Sequence, residues 1–131
     1  MYDTPERETI SLPSKDFSST DVTYVLRGPA GKRGKLKDVQ FVCTTTCAGA
    51  TTTPIIKVGI SGTLGKYASM NLGTTAAGSA KRASQTAGDL VLLNNNLQVL
   101  DADTDIYVTL VAATGGGAAG IGLTQLMFEW F

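Results

Sequence analysis

From Asp21 onward the chain alternates apolar and polar residues with a period of two, the spacing of a strand with one buried face. In DVTYVLR, Val22, Tyr24 and Leu26 fall on one side and Thr23 and Val25 on the other. KLKDVQFVCTTT sets Val39, Phe41 and Cys43 against Asp38, Gln40 and Val42. IIKVGIS aligns Ile56, Val58 and Ile60, and KYASMNL aligns Ala68, Met70 and Leu72. DIYVTLVAA sets Ile106, Val108 and Leu110 against Tyr107, Thr109 and Val111. IGLTQLMFEWF closes the chain as one long strand. Two short apolar runs, Leu90–Leu93 and Leu97–Leu100, flank an Asn94–Asn96 turn. GPAGKRG, CAGATTTP, the Gly62 and Gly65 turn and GGGAAG punctuate these runs as loops.

Nowhere do apolar residues recur at i, i+3, i+4 and i+7 over three turns, and Thr and Val favour a pleated, half-buried surface. About seven to nine short strands with Gly, Asn and Thr turns predict an all-β fold, an antiparallel jelly-roll-like β-sandwich. Gly73–Gly88 carries no large apolar side chain and is expected as a long surface loop, with a helix at Ala80–Ala83 as the alternative. Phe128, Trp130 and Phe131 at the chain end need cover, and a core position is expected before an oligomer interface.

Residues 1–20 break the pattern. MYDTPERETISLPSKDFSST holds two prolines and isolated apolar residues, Ile10, Leu12 and Phe17. It reads as an extended N-terminal arm ahead of a sandwich domain at 21–131, either a disordered terminus or a segment ordered against a neighbouring subunit. In the second case Ile10, Leu12 and Phe17 are the anchors.

A chain of 131 residues has room for one domain and a real core. Hydrophobic residues at 43% and charged residues at 17% argue against intrinsic disorder. Eleven cations balance eleven anions, so no net field draws in nucleic acid or an anionic membrane. There is no apolar stretch of membrane-spanning length, and MYDTPERETI lacks the basic and apolar regions of a signal peptide. The absence of histidine removes the commonest general base and the commonest metal ligand, along with any Ser/His/Asp or Cys/His arrangement. No enzyme, cofactor or small-molecule substrate is expected.

Several local motifs reduce to turns. GGGAAG (Gly115–Gly120) has the letters of a dinucleotide fingerprint but lacks the following helix and acidic residue; a hairpin loop is expected. GTLGK (Gly62–Lys66) misses the phosphate-loop spacing and the Ser or Thr after its lysine. Cys43 and Cys47 are too few for a structural zinc site and are expected as free thiols, Cys43 packing as a small apolar residue. Asp101, Asp103 and Asp105 fall on one face of an extended segment and could approach calcium, but a solvated turn is the expectation. The clearest local signal is basic: Arg27, Lys32, Arg33, Lys35 and Lys37 lie within a glycine-rich stretch with no acid among them. An exposed loop of this kind could meet an acidic protein face, a phosphate backbone or a sulfated glycan. Without interleaved aromatics to stack bases, an acidic protein is favoured over nucleic acid.

VLRGPAGKRGKLKDVQFVCTTT, IIKVGISG, YASMNLGT and DADTDIYVTLVAATGGGAAGIGLTQLMFEW together resemble small β-sandwich virion structural proteins of tailed bacteriophages, over residues 22–131. The resemblance implies a capsid decoration (cement) protein, often a homotrimer, on the outside of the head where major capsid protein subunits meet. It would be assembled in the host cytoplasm. Its expected contact residues are Ile10, Leu12, Phe17, Arg27, Lys32, Arg33, Lys35 and Lys37. The alternative is a glycan-binding sandwich from a phage tail or fibre, and a DNA binder using the basic loop is a third reading.

Overall fold

The structure, a computed structural model, describes residues 6–85, 92–93, 96–97 and 99–131. Parts of the expected arm, the small-residue segment, the Leu90–Leu93 run and the Asn94–Asn96 turn lie outside the described residues. The described strands are β1 (Glu6–Ser11), β2 (Lys15–Asp16), β3 (Val22–Leu26), β4 (Gly34–Ala48), β5 (Ile55–Ile60) and β6 (Thr63–Asn71). Then come β7 (Ala80–Arg82), β8 (Leu92–Leu93), β9 (Asn96–Leu97), β10 (Val99–Leu100), β11 (Ile106–Val111) and β12 (Ala119–Trp130).

Two antiparallel sheets carry the fold. The first is ordered β1-β12-β4-β10, with β2 continuing the β1 edge along β12 and β7 sharing the β10 edge along β4. The second is β3-β11-β5-β6. If β1, β3, β4, β5, β6, β10, β11 and β12 are numbered one to eight, the sheets run 1-8-3-6 and 2-7-4-5. That is the double Greek key of a jelly roll.

The core lies between the sheets and follows the alternation in the sequence. Even-numbered residues of β12 point inward, with Leu126, Phe128 and Trp130 buried. They face Ile56, Val58, Met70, Val108 and Leu110 among others from the second sheet. Along β4 the strict period fails once, because Leu36 and Val39 are both buried. A register shift opposite Met127 and Phe128 leaves Lys37 unmatched. This bulge changes the phase of the strand and leaves Asp38 opposite Met127, on the side away from Val39 as the sequence pattern puts it, yet only 6% exposed. The buried carboxylate accepts hydrogen bonds from the backbone N–H groups of Val39 (2.8 Å) and Ser84 (3.0 Å) and from the Ser84 hydroxyl (2.8 Å).

Those bonds also correct the reading of the small-residue segment. Ala80–Arg82 pairs with β4, a 3-10 turn follows at Ala83–Gln85, and Ala83 is fully buried. Small side chains let this stretch lie close against the first sheet, as neither a free loop nor an α-helix. GGGAAG is not a hairpin loop either, since β11 and β12 belong to different sheets and it crosses between them.

The domain boundary expected at residue 20 also falls. Glu6–Ser11 pairs with β12 from Trp130 to Gln125, so the described part of the segment is an edge strand of the sandwich. Leu12 and Phe17 are 5% and 0% exposed and lie in the protein's own core, while Ile10 packs partly buried against it. Phe17 meets Phe41 edge-on, with centroids 5.7 Å apart. Gly122 leaves the space for this pair, because a Cβ there would lie 2.4 Å from the Phe41 ring.

Trp130 closes one end of the sandwich. It stacks on Phe128 with centroids 5.0 Å apart, and its indole N–H donates to Glu8 Oε1 at 3.2 Å. Gly28 and Gly34 border the ring so closely that a Cβ would come within 2.5 Å and 2.4 Å of it. Gly34→Val should therefore displace the only tryptophan, with a red-shifted emission and a loss of about 2 kcal/mol or more in urea unfolding. Phe17→Ala should cost about 3–5 kcal/mol in the same assay, and deleting residues 1–17 should leave no cooperatively folded domain.

Candidate partner-binding surfaces

Along the chain the basic segment has no acid, but the fold brings three to it. The Arg27 guanidinium lies 2.9 Å from Asp105 Oδ1, and Lys32 Nζ lies 2.5 Å from Glu6 Oε1. Asp103, at φ 54°, accepts the Gly31 backbone N–H at 2.9 Å. Arg33 exchanges two backbone hydrogen bonds with Phe131, 2.9 and 2.8 Å long. The charged groups of Arg33 and Lys35 stand 5.3 and 5.5 Å from the centre of the Phe131 ring, within cation–π range. The strap from Arg27 to Gly34 is thus fastened across Trp130 and serves the core as well as the surface. Lys37, exposed at the β4 bulge, makes no ion pair among the described residues.

The five cations divide accordingly. Arg27 and Lys32 meet carboxylates at the strap, and Arg33 packs on the chain end. Lys35 and Lys37 project from the outer face of the first sheet. The strand register adds Arg7 from β1, opposite Glu129, and Arg82 from β7, opposite Gln40. Sequence reasoning missed both, since neither lies near the basic stretch and only pairing with β12 and β4 brings them to this face. Arg7 Nε sits 3.7 Å from Glu129, and Arg82 sits 3.9 Å from Asp38. Among these cations lie the exposed apolar residues Val99, Leu123 and Phe131.

The outer face of the second sheet has a different character. The cross-strand pairs Tyr107–Val25, Thr109–Thr23 and Val111–Ile55 all point outward, with Lys57 opposite Ser69. Val25 is 54% exposed, the highest among the exposed large apolar residues. Lys57 is the one charge at these paired positions. One broad face is therefore cationic with apolar islands, and the other is close to uncharged.

The remaining candidates go to structure. Cys43 and Cys47 are buried free thiols, as expected. Cys43 donates to the Thr45 carbonyl oxygen at 3.0 Å. Burial, with Cys43 beside it, pushes the Cys47 thiol up to about 12. The three aspartates do not converge: Asp103 caps a turn and Asp105 faces Arg27, while Asp101 adds to burial in raising the Tyr67 hydroxyl pKa. Among the described residues, no group of three or more His, Cys, Asp or Glu is placed to hold a metal ion. An open groove of about 370 Å³ is lined by Ile60, Ser61, Asp103, Thr104, Asp105 and Tyr107. No helix of the described residues is long and apolar enough to cross a membrane.

No family model, no curated protein and no solved structure matches the chain.

The thiols give a test of the packing around β4. An unfolded thiol ionises near 9.0, whereas Cys47 in the fold keeps its proton to about 12. Its contribution is therefore intact below pH 9 and is lost as pH rises between those values. Urea unfolding across this range should show a decline in stability that is shallower in Cys47→Ala. In the native protein a thiol-exchange reagent should react with neither cysteine until denaturant is added.

Proposed function

We propose that the protein is a non-enzymatic structural part of a bacteriophage virion, a decoration (cement) protein on the capsid exterior that stabilises contacts between major capsid subunits. The observation that carries this reading is the contrast between the two outer sheet faces. A rigid sandwich with one nearly uncharged face and one cationic, partly apolar face is suited to meeting two different protein surfaces at once. The resemblance of residues 22–131 to small phage virion proteins points the same way.

In this reading the near-neutral face, with Val25, Tyr107, Val111 and Ile55, joins copies into a homotrimer, where low charge keeps desolvation inexpensive. Attachment to the head then multiplies weak contacts by symmetry. Leu12 and Phe17 take no part in it, since they belong to the core; the contact falls to Lys35 and Lys37, with Ile10 only at the edge. The protein should sediment at three times its 13.6 kDa chain mass, and Val25→Glu should shift it to monomer without unfolding it. It should also bind purified undecorated heads saturably and raise their resistance to heat. A monomer that shows no saturable head binding would reject the reading.

The groove with Tyr107, Asp103 and Asp105 favours one other reading, a glycan-binding module of a tail or fibre, because carboxylates and an aromatic ring can both contact a sugar. Saturable binding on a glycan array, abolished by Tyr107→Ala, would support it over head attachment.

A further inference from the structure

We infer that the outer face of the first sheet is a docking surface for an acidic protein partner, centred on a depression between Arg7 and Lys37 that receives a carboxylate side chain. The inference goes beyond the proposed function, because it holds for any acidic partner and does not require a capsid.

The depression has a volume of about 220 Å³ and is lined by Arg7, Glu8, Thr9, Lys37, Met127 and Phe128. The bulge in β4 creates it. By leaving Lys37 without a partner on β12, the bulge pushes this side chain out beside Met127, opposite Arg7 on β1. The floor is a flexible, polarizable methionine, which adapts to an incoming side chain. The walls supply two cations. One is held 3.7 Å from Glu129, and the other makes no ion pair among the described residues. A glutamate or aspartate entering here would lay its methylenes on Met127 and its carboxylate between Arg7 and Lys37. Charge-assisted bonds of this kind are about twice as strong as neutral ones.

The surroundings fit the same occupant. Lys35 and Arg82 extend the positive field along the sheet, where Arg7, Lys35, Lys37 and Arg82 stand against the acids Asp16, Asp38 (buried, opposite Met127) and Glu129. Val99, Leu123 and Phe131 are three of the five exposed large apolar residues among those described. A partner surface that alternates acidic and apolar groups would match both features. Nucleic acid fits less well. A duplex backbone leaves the three exposed apolar residues uncovered. Four strands over the length of β12 give a face of about 600 Å², smaller than a standard interface side of about 800 Å². A single copy should therefore bind weakly and with marked salt dependence.

The test titrates the isotope-labelled full chain with an acetylated octapeptide of alternating Glu and Leu and follows amide shifts by NMR. Its Lys–Leu counterpart and a short DNA duplex serve as comparisons. Saturable shifts confined to the surroundings of Arg7, Thr9, Lys37 and Met127 are expected, weakening as salt rises from about 0.05 to about 0.5 M. Arg7→Glu with Lys37→Glu should reduce affinity at least tenfold, and the Gln pair should lie between. Lys57→Glu on the other sheet should change nothing, and tryptophan emission verifies the fold of each variant. Shifts centred on the second sheet, equal binding of the basic peptide, tighter binding of DNA, or full affinity in the double reversal would each overturn the inference. Head binding is a separate measurement. Heads that still bind the double reversal would remove this face and leave the decoration reading standing, whereas peptide binding without head binding would do the opposite.

Discussion

The last strand of the chain lies inside the first sheet, hydrogen-bonded to β1 on one side and β4 on the other. Everything else in the sandwich depends on this insertion. Until β12 is in place, β1 and β2 have no partner, Phe17 has no lid, and the inward faces of Leu126, Phe128 and Trp130 have nothing to pack on. The pairing joins residues near both ends of the described chain, Glu6 with Trp130. Loop closure must be completed before this contact stabilises anything, so the fold belongs with those that form slowly through non-local contacts. It also explains why so polar a segment as Glu6–Ser11 is ordered: main-chain hydrogen bonds to β12 hold it, and only Ile10 among its side chains packs against the core.

The two ends of β12 are managed differently. At its start, register shifts opposite β4 accompany Gly120, whose φ is 141°. At its finish a single large aromatic fills the mouth of the sandwich, and two glycines with a basic strap are fitted around it. The strap's charges are therefore not simply solvated. Arg27 and Lys32 fasten the closure, and the same closure holds Lys35 where it projects from the sheet. Core packing and surface chemistry are coupled through Trp130, and a change in the strap would be felt in both.

The β4 bulge has a comparable double role. Next to it, the buried Asp38 carboxylate meets three donors and pins the turn after β7 to the sheet. Outward, the bulge leaves Lys37 beside Met127. A buried carboxylate without such donors would cost several kcal/mol (about 3–5 when a partner is removed), so the hydrogen bonds from Val39 and Ser84 are the condition for tolerating it. One irregularity thus supplies both the anchor of an edge strand and the wall of a surface depression.

The period-two alternation determined the all-β class, the inward sets Ile56–Val58, Ala68–Met70–Leu72 and Ile106–Val108–Leu110, and the burial of Phe128 and Trp130, whereas Phe131, expected under cover with them, is exposed. These are local properties, because side chains alternate across a strand whatever its partner is. The place of residues 6–17 was not legible, since that strand is polar and is held by backbone bonds that carry no side-chain signature. Nor was the phase change at Lys37, which exists only as a mismatch between two strands far apart in sequence. The basic cluster was visible as a run, but its neutralisation by Glu6 and Asp105, and the addition of Arg7 and Arg82 to its outward members, depended on strand order and register. Tertiary structure alone decided these points, because opposite charges and facing cations meet through the topology of two sheets and not through proximity along the chain.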